Sequence, residues 1–171
     1  MIDGNAPTKV WRADVIADFA RSELFDRTFQ EGMDLVEETA GYLDGSGRQE
    51  SKALSRNAAL AYAGESMRLT TRLMQVASWL LVQRAVREGD MAPEAACDDR
   101  YRLGAEDICR SGADTTEDLP AGLLLLLDRS ERLYERVRHL DRRMYVEQGA
   151  ASEAPNPVMS HMDRLQAAFG R

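Results

Sequence analysis

Histidine and cysteine, the side chains that most often bind transition metals, occur only twice each in this chain. Helical bundles hold di-iron or di-manganese centres through Glu-x-x-His pairs, but neither His139 nor His161 has a carboxylate three residues before it. Cys97 and Cys109 lie in one polar stretch, without thiol or imidazole partners at zinc-site spacing. The sequence therefore predicts no metal site and no cofactor.

Motifs that carry catalysis are also missing from the sequence. It contains no GxSxG, no phosphate-binding glycine loop and no Rossmann glycine pattern. Glu31, Glu37, Glu38 and Glu65 could approach one another, but solvated helix faces commonly contain such carboxylates. We therefore predict that the protein is not an enzyme.

The cellular compartment can be predicted from the cysteines and the apolar segments. A reduced cytoplasmic protein accounts for two cysteines, and their spacing leaves a disulfide between them open. The first residues, MIDGNAPTKVW, lack the charged start and apolar core of a secretory signal. The longest apolar run, near Leu123 to Leu127, is far shorter than the roughly 20 residues of a membrane span. We expect a soluble cytoplasmic protein and no membrane binding.

Composition favours an all-α fold and argues against nucleic-acid binding. Aromatic residues make up only 6% of the chain and hydrophobic residues 44%, which suits a helical core better than a sheet. The net charge of -7 opposes binding to a phosphate backbone. Apolar residues recurring at three and four positions predict long helices, joined by glycine-rich or acidic stretches.

The predicted architecture is a three-helix antiparallel bundle with long helices, occupying residues 14–148. Val15, Ile16 and Phe19 could extend the first helix backwards or form a separate turn, and the pattern does not decide between these. The predicted segments are a flexible N-terminus at 1–13, helices at 22–43, 51–88 and 120–148, a flexible acidic loop at 89–119, and a flexible tail at 149–171.

The stretch from Glu65 to Arg84 has more apolar circumference than one helix of a small bundle requires. Its polar residues share one narrow sector, and apolar or small residues cover an arc of roughly 240°, against somewhat over 100° for a typical surface helix. We predict a homodimer, with a larger single-chain bundle around the helix as the alternative. The predicted dimer or core face comprises Met67, Leu69, Leu73, Met74, Leu80 and Leu81.

Three further groups of residues are candidate partner-binding sites. Trp79 lies in the polar sector with Arg68 and Arg72, which indicates either a binding hot spot or an indole lying across a neighbouring helix. Arg132 and Arg136 belong to an arginine-rich helix that could dock an acidic protein, although such a face is usually only solvated. The third group is a short amphipathic segment of the tail, with Val158, Met162, Leu165 and Phe169 on one helical face. An unstructured tail without a role is the alternative for that segment.

Two long blocks resemble a known family: TFQEGMDLVEETAGYLDGSGR, Thr28 to Arg48, and LAYAGESMRLTTRLMQVASWLLVQRAVREGDM, Leu60 to Met91. They are similar to the RcdA family of alphaproteobacterial adaptors for the ClpXP protease. The resemblance implies a non-enzymatic, dimeric three-helix bundle that helps bring cell-cycle regulators such as CtrA to ClpX, together with CpdR and PopA, at a cell pole. The alternative is a structural or polar-localisation scaffold without a direct role in proteolysis.

Overall fold

Serine side chains begin two of the long helices. Ser22 accepts a hydrogen bond from the Phe25 amide at 3.2 Å, and Ser55 accepts one from the Ala58 amide at 3.2 Å. Each serine satisfies an amide that the first helical turn leaves without a partner. Gly89, with φ of 82°, ends the second of these helices in the left-handed conformation that glycine adopts without strain.

The structure is a computed structural model that describes residues 6–109 and 118–145. Every regular element in those two ranges is helical, so the predicted all-α class is confirmed. The elements are α1 (Ala6–Ala20), α2 (Glu23–Asp44), α3 (Ser46–Ser51), α4 (Arg56–Glu88), α5 (Pro93–Ala96), a 3-10 turn (Asp99–Tyr101), α6 (Glu106–Cys109) and α7 (Ala121–Tyr145).

Helix α4 packs against both other long helices, α2 and α7. Asp26 near the start of α2 forms an ion pair with Arg87 near the end of α4. The Arg84 guanidinium lies 5.3 Å from the centroid of the Phe29 ring, one turn later on α2 and one turn earlier on α4. Helices α2 and α4 are therefore antiparallel, as the short connection between them predicts.

Helix α7 runs parallel to α4 and antiparallel to α2. Arg72 and Trp79 of α4 donate hydrogen bonds to Ser130 and Asp141 of α7, so the two helices advance in the same direction. A bundle of three long helices must contain at least one parallel pair, and here that pair is α4 and α7. The physical reason is the connection between α4 and α7, residues 89–120, which is long enough to return the chain along the bundle before α7 begins.

The helix boundaries differ from the predicted ones mainly at the start of α4. The first predicted helix, 22–43, agrees with α2 to within one residue. The second was predicted to begin at Ser51, but the chain turns after α3 and α4 begins only after the Ser55 cap. The third agrees with α7 as far as Tyr145, and its last predicted residues lie outside the described part of the chain.

The predicted flexible N-terminus is wrong for residues 6–13, which belong to α1. Ala13, Ile16 and Ala20 form its buried face, and α1 packs against α4 and α5. The Phe19 ring centroid lies 5.6 Å from that of Trp79. The alternative of a separate element before the first long helix is therefore the one observed, because this short apolar face covers the end of the core.

The connection after α4 is folded over residues 89–109, where a flexible loop was predicted. Pro93 begins α5, as its preset φ angle predicts. The Tyr145 hydroxyl donates to the Ala96 carbonyl at 2.6 Å, and the Tyr134 hydroxyl donates to the Gly104 carbonyl at 3.2 Å. These two tyrosines of α7 fix the first two thirds of the connection against the bundle. Residues 110–117 and the predicted tail lie outside the described residues.

Candidate interaction surfaces

Arg72, a predicted partner-binding residue, is completely buried. Its Nε donates to the Cys109 carbonyl at 2.9 Å, and its Nη1 donates to the Ser130 hydroxyl at 2.7 Å and the Leu127 carbonyl at 3.3 Å. All of these acceptors are neutral oxygen atoms. The prediction is therefore corrected: Arg72 is an internal crosslink that joins α4, α6 and α7, and it presents nothing to a partner.

Arg72 also affects the pKa of the nearest cysteine, Cys109. Burial raises the pKa of the Cys109 thiol, and the Arg72 guanidinium opposes that effect. A thiol with a raised pKa is a poor nucleophile, because the thiolate is the reactive form. Cys97 and Cys109 are both buried and no disulfide joins them, which answers the question that the sequence left open.

Trp79, the second residue of the same predicted site, is also buried, with 2% of its surface exposed. Its indole N–H donates to Asp141 Oδ1 at 3.1 Å. The main-chain amide of Leu103 donates to the same oxygen at 3.1 Å, while Arg102 pairs with Asp141 Oδ2 at 3.1 Å. The indole therefore lies across the neighbouring helix, which was the alternative to a hot spot at the surface.

Sequence reasoning missed Asp141, the centre of this cluster. Its carboxylate is 2% exposed and joins α4, α7 and the connection between them. Leu140, the residue before it, is only partly buried. The available signal was position: Asp141 follows Val137 by four residues and precedes Met144 by three, so it falls on the buried face of α7.

The side of α4 that faces away from the bundle is uncharged and exposed. Leu60, Met67, Met74 and Leu81 are 68%, 72%, 63% and 50% exposed, and they follow one another at intervals of seven residues. That interval brings the side chains into one row along the helix. We call the row and the small residues between its members, such as Gly64 and Ser78, the outer face of α4.

The residues that were predicted as a dimer or core face lie on two different sides of α4. Leu69, Leu73 and Leu80 are buried and belong to the core of the chain itself. Met67, Met74 and Leu81 project to solvent. A contiguous row of large apolar side chains is unusual on a soluble monomer, whereas single exposed ones are common.

The predicted arginine surface of α7 is exposed but internally paired. Arg132 pairs with Asp128 at 2.9 Å on the same helix, and Arg136 pairs with Glu31 of α2. Arg129 pairs with Glu38 of α2 at 2.6 Å. Exposed pairs of this kind stabilise a fold by about 0 to 1 kcal/mol, so a partner carboxylate can replace one at little cost.

The remaining predicted binding residues divide between the surface and the tail. Arg68 is half-exposed and pairs with Glu65 of the preceding turn at 2.9 Å. The tail residues Val158, Met162, Leu165 and Phe169 lie outside the described residues. Within residues 6–109 and 118–145, no group of three or more histidine, cysteine or acidic side chains could hold a metal ion. No helix in those same ranges has both the length and the apolar composition to cross a bilayer.

Comparisons with known proteins identify the relatives of this fold. The family described as "Protein of unknown function (DUF1465)" matches residues 16–169. A similar solved structure is that of RcdA from Caulobacter crescentus CB15, with 73% sequence identity and a TM-score of 0.64. The similarity covers 77% of this chain and 98% of the RcdA chain. A comparison with curated proteins found no match. The resemblance of the two sequence blocks is thereby confirmed, and the chain belongs to the RcdA family of helical-bundle proteins.

Proposed function

We propose that this chain is a non-enzymatic adaptor that brings cell-cycle regulators such as CtrA to the ClpXP protease. The observation that carries the proposal is the 73% identity to RcdA, which extends over 98% of the RcdA chain. An adaptor accelerates a reaction of other proteins by raising their effective concentration, and so it needs separate surfaces for separate partners. The outer face of α4 and the arginine surface of α7 are on different helices and can serve as two such surfaces.

The outer face of α4 is the proposed homodimer interface. Its four large apolar side chains are exposed, and no charged residue lies between them on that face. A helix that packs against its own copy across a twofold axis buries the same row twice. Full burial of a completely exposed side chain of this size contributes roughly 1.5 to 3 kcal/mol. These side chains are 50% to 72% exposed, so eight of them together can match an association cost of about 4 to 15 kcal/mol.

The other surfaces are proposed to serve the remaining partners. Arg132 and Arg136 are proposed to contact an acidic surface, because their present partners are exposed carboxylates that a docking protein can replace. The tail segment with Val158, Met162, Leu165 and Phe169 is proposed to contact cargo through its apolar face. CpdR and PopA are the proposed components that work with the adaptor on ClpX, in the cytoplasm and at a cell pole.

Reconstituted proteolysis tests the adaptor role. Purified ClpXP, CpdR, PopA and CtrA are combined with and without this chain, and loss of CtrA is followed on gels. We expect faster degradation when the chain is present, because it holds substrate and protease together. A catalytically inactive ClpP in the same mixture controls for CtrA that is lost by any other route.

An unchanged rate of CtrA loss would contradict the adaptor role. It would favour the alternative, a structural scaffold that organises other proteins at a pole. Fluorescence microscopy of the labelled chain, in cells with and without ClpX, distinguishes the two. An adaptor depends on ClpX for its recruitment, whereas an independent scaffold keeps its position.

A further inference from the structure

A cleft of about 320 Å³ opens to solvent between α2 and α4, beside the outer face of α4. We call it the α2–α4 groove. Its apolar lining comprises Val36, Ala40 and Leu43 from α2 and Leu73, Met74 and Ala77 from α4. Thr39, Asp44 and Thr70 are its polar lining residues. Small side chains at positions 40 and 77 leave the space that larger ones would fill.

A buried hydroxyl group in the wall of the groove has no partner. Thr39 is 4% exposed, and its Oγ1 makes no hydrogen bond. Thr28, which is also buried on α2, shows the ordinary arrangement: its Oγ1 donates to the Leu24 carbonyl at 2.7 Å. Buried polar groups without partners are rare in folded proteins, so the Thr39 hydroxyl group calls for an explanation.

The mouth of the groove is negatively charged at one end. Asp44 lines it, and the exposed side chain of Glu37 lies two turns earlier on α2. The last carbonyl groups of α2 add partial negative charge at the same end. The groove therefore suits a short helix that carries apolar side chains on one face and a cation beside them.

The chain itself contains a segment of this chemistry. Met162, Leu165 and Phe169 recur at three and four positions, which places them on one face of a helix. Met162 and Phe169 are seven positions apart, as are Val36 and Leu43 in the wall of the groove. Arg164 and Arg171 flank the apolar residues and can supply the positive charge opposite Asp44.

The connection between this segment and the bundle is long enough. Helix α7 ends at Tyr145, one turn beyond Asp141, which contacts Trp79 of α4. The groove residue Leu73 lies about 9 Å back along α4 from Trp79 at a rise of 1.5 Å per residue, and two helix widths add about 20 Å. Residues 146–157 can span up to about 40 Å when extended, so they reach the groove without strain.

We infer that the α2–α4 groove binds the apolar face of residues 158–169 of this chain. Leu165 and Phe169 fill the cleft, and an arginine of the segment faces Asp44. If the tail contacts cargo, as the proposed function has it, then cargo must displace the segment from the groove. The bound segment then keeps its apolar face covered until cargo is present, and the groove regulates the adaptor.

Alkylation of a cysteine in the groove tests this binding in the full chain. Ala40→Cys places a thiol in the groove, and Gly41→Cys places one on the adjacent open surface, where nothing lies within 4 Å of an added Cβ. Each variant is made with the natural tail and with Leu165→Asp plus Phe169→Asp. The native cysteines are buried and common to all four proteins. We expect iodoacetamide to react with position 40 about five times more slowly when the tail is natural, and at equal rates with position 41.

Two results would overturn the inference. Protection of position 40 that persists with the aspartate tail and grows with protein concentration would mean that a second copy covers the groove. No protection in any variant would mean that the groove is empty. A disulfide trap gives an independent readout: Ala40→Cys should crosslink to Leu165→Cys, and not to Asp163→Cys on the opposite face of the segment. Neither the alkylation rates nor the disulfide trap involves the protease. A negative result in them therefore contradicts this inference alone and leaves the proposed adaptor role untouched.

Discussion

Both faces of α4 differ from those of an ordinary surface helix, although the inner face also buries Leu69, Leu73 and Leu80. The inner face buries Arg72 and Gln83, and the indole N–H of Trp79 points to a buried carboxylate. The outer face exposes Met67 and Met74 and has no charged residue among them. A surface helix normally buries apolar residues alone and carries charged residues on its outer face.

The buried polar residues and the exposed apolar residues of α4 have different roles in this protein. A buried guanidinium group is tolerated only where fixed acceptors surround it, so the inner face specifies how α6 and α7 join α4. An exposed apolar row is tolerated in a soluble protein where another surface covers it. The inner face thus holds the chain together, and the outer face is available for association.

Removing the charge from the inner face should have the largest effect on stability. Arg72→Ala leaves the Cys109 carbonyl and the Ser130 hydroxyl without their donor and opens a cavity. Each buried acceptor that loses its partner costs about 1 to 3 kcal/mol. We expect the free energy of unfolding to fall by about 3 kcal/mol or more, measured by urea unfolding with circular dichroism.

Arg68→Ala is the matched control for that substitution. Arg68 lies one turn away on the same helix, half-exposed, with Glu65 as its ion-pair partner. Its removal should change the free energy of unfolding by about 0.5 kcal/mol or less. Equal losses for the two variants would contradict the contrast between a buried crosslink and a surface pair.

Charging the outer face should abolish association and leave the fold unchanged. Met67→Lys with Met74→Lys brings four ammonium groups into a symmetric interface, where desolvation and repulsion oppose binding. We expect the dimer dissociation constant to rise by about 100-fold or more, measured by sedimentation equilibrium. Gln30→Lys on the exposed side of α2 is the control. A wild-type protein that sediments as a monomer at micromolar concentration would refute the proposed dimer.

The sequence predicted the helices well because their signals are local. Ser22 and Gly89 act as caps through their own side-chain or backbone chemistry, and apolar spacing marked the buried leucines of α4. The excess of apolar circumference on α4 was also visible, and the structure exposes Met67, Met74 and Leu81 accordingly. What these residues contact cannot be read from one chain.

The long-range polar contacts could not be predicted in the same way. Arg72 looked like a surface residue because arginine is seldom buried, and the sequence left two placements open for Trp79. The acceptors of both side chains lie 37 to 62 positions further along the chain. Asp141 was missed for the same reason. The parallel course of α7 depends on how residues 89–109 fold, and their elements are too short to leave a periodic signal.

Alkaline pH should lower the free energy of unfolding through the buried Tyr145. Burial raises the pKa of Tyr145, and the nearby Asp141 carboxylate adds to the effect. Because the folded pKa lies above the ordinary value of 10.0, the folded state binds this proton more tightly, and stability is lost as pH rises beyond 10.0. The loss should be about 1.4 kcal/mol per pH unit for this residue. Urea unfolding of wild type and Tyr145→Phe on both sides of pH 10 measures it: the variant should have the smaller slope.

Charge reversal on α7 should affect partner capture more than stability. Arg132→Glu with Arg136→Glu breaks only exposed pairs, so the urea midpoint should hardly change. If this surface meets an acidic partner, two reversed charges should weaken capture about tenfold, measured by pull-down of purified CpdR, PopA and ClpX at several salt concentrations. Arg100→Glu, an exposed arginine of the connection, is the control. Unchanged capture of every partner would remove this surface from the proposal.

The smallest expected effect distinguishes packing on the outer face from simple exposure. Gly64 and Gly41 are both exposed helical glycines with nothing within 4 Å of an added Cβ. Alanine at either position should stabilise its helix by roughly 0.5 to 1 kcal/mol, because glycine loses more backbone entropy on folding. Only Gly64 lies on the outer face, where a second α4 would approach closely. Gly64→Ala should therefore weaken the dimer, whereas Gly41→Ala should not. Equal dimer affinities for the two variants would mean that the interface does not include the part of α4 around Gly64.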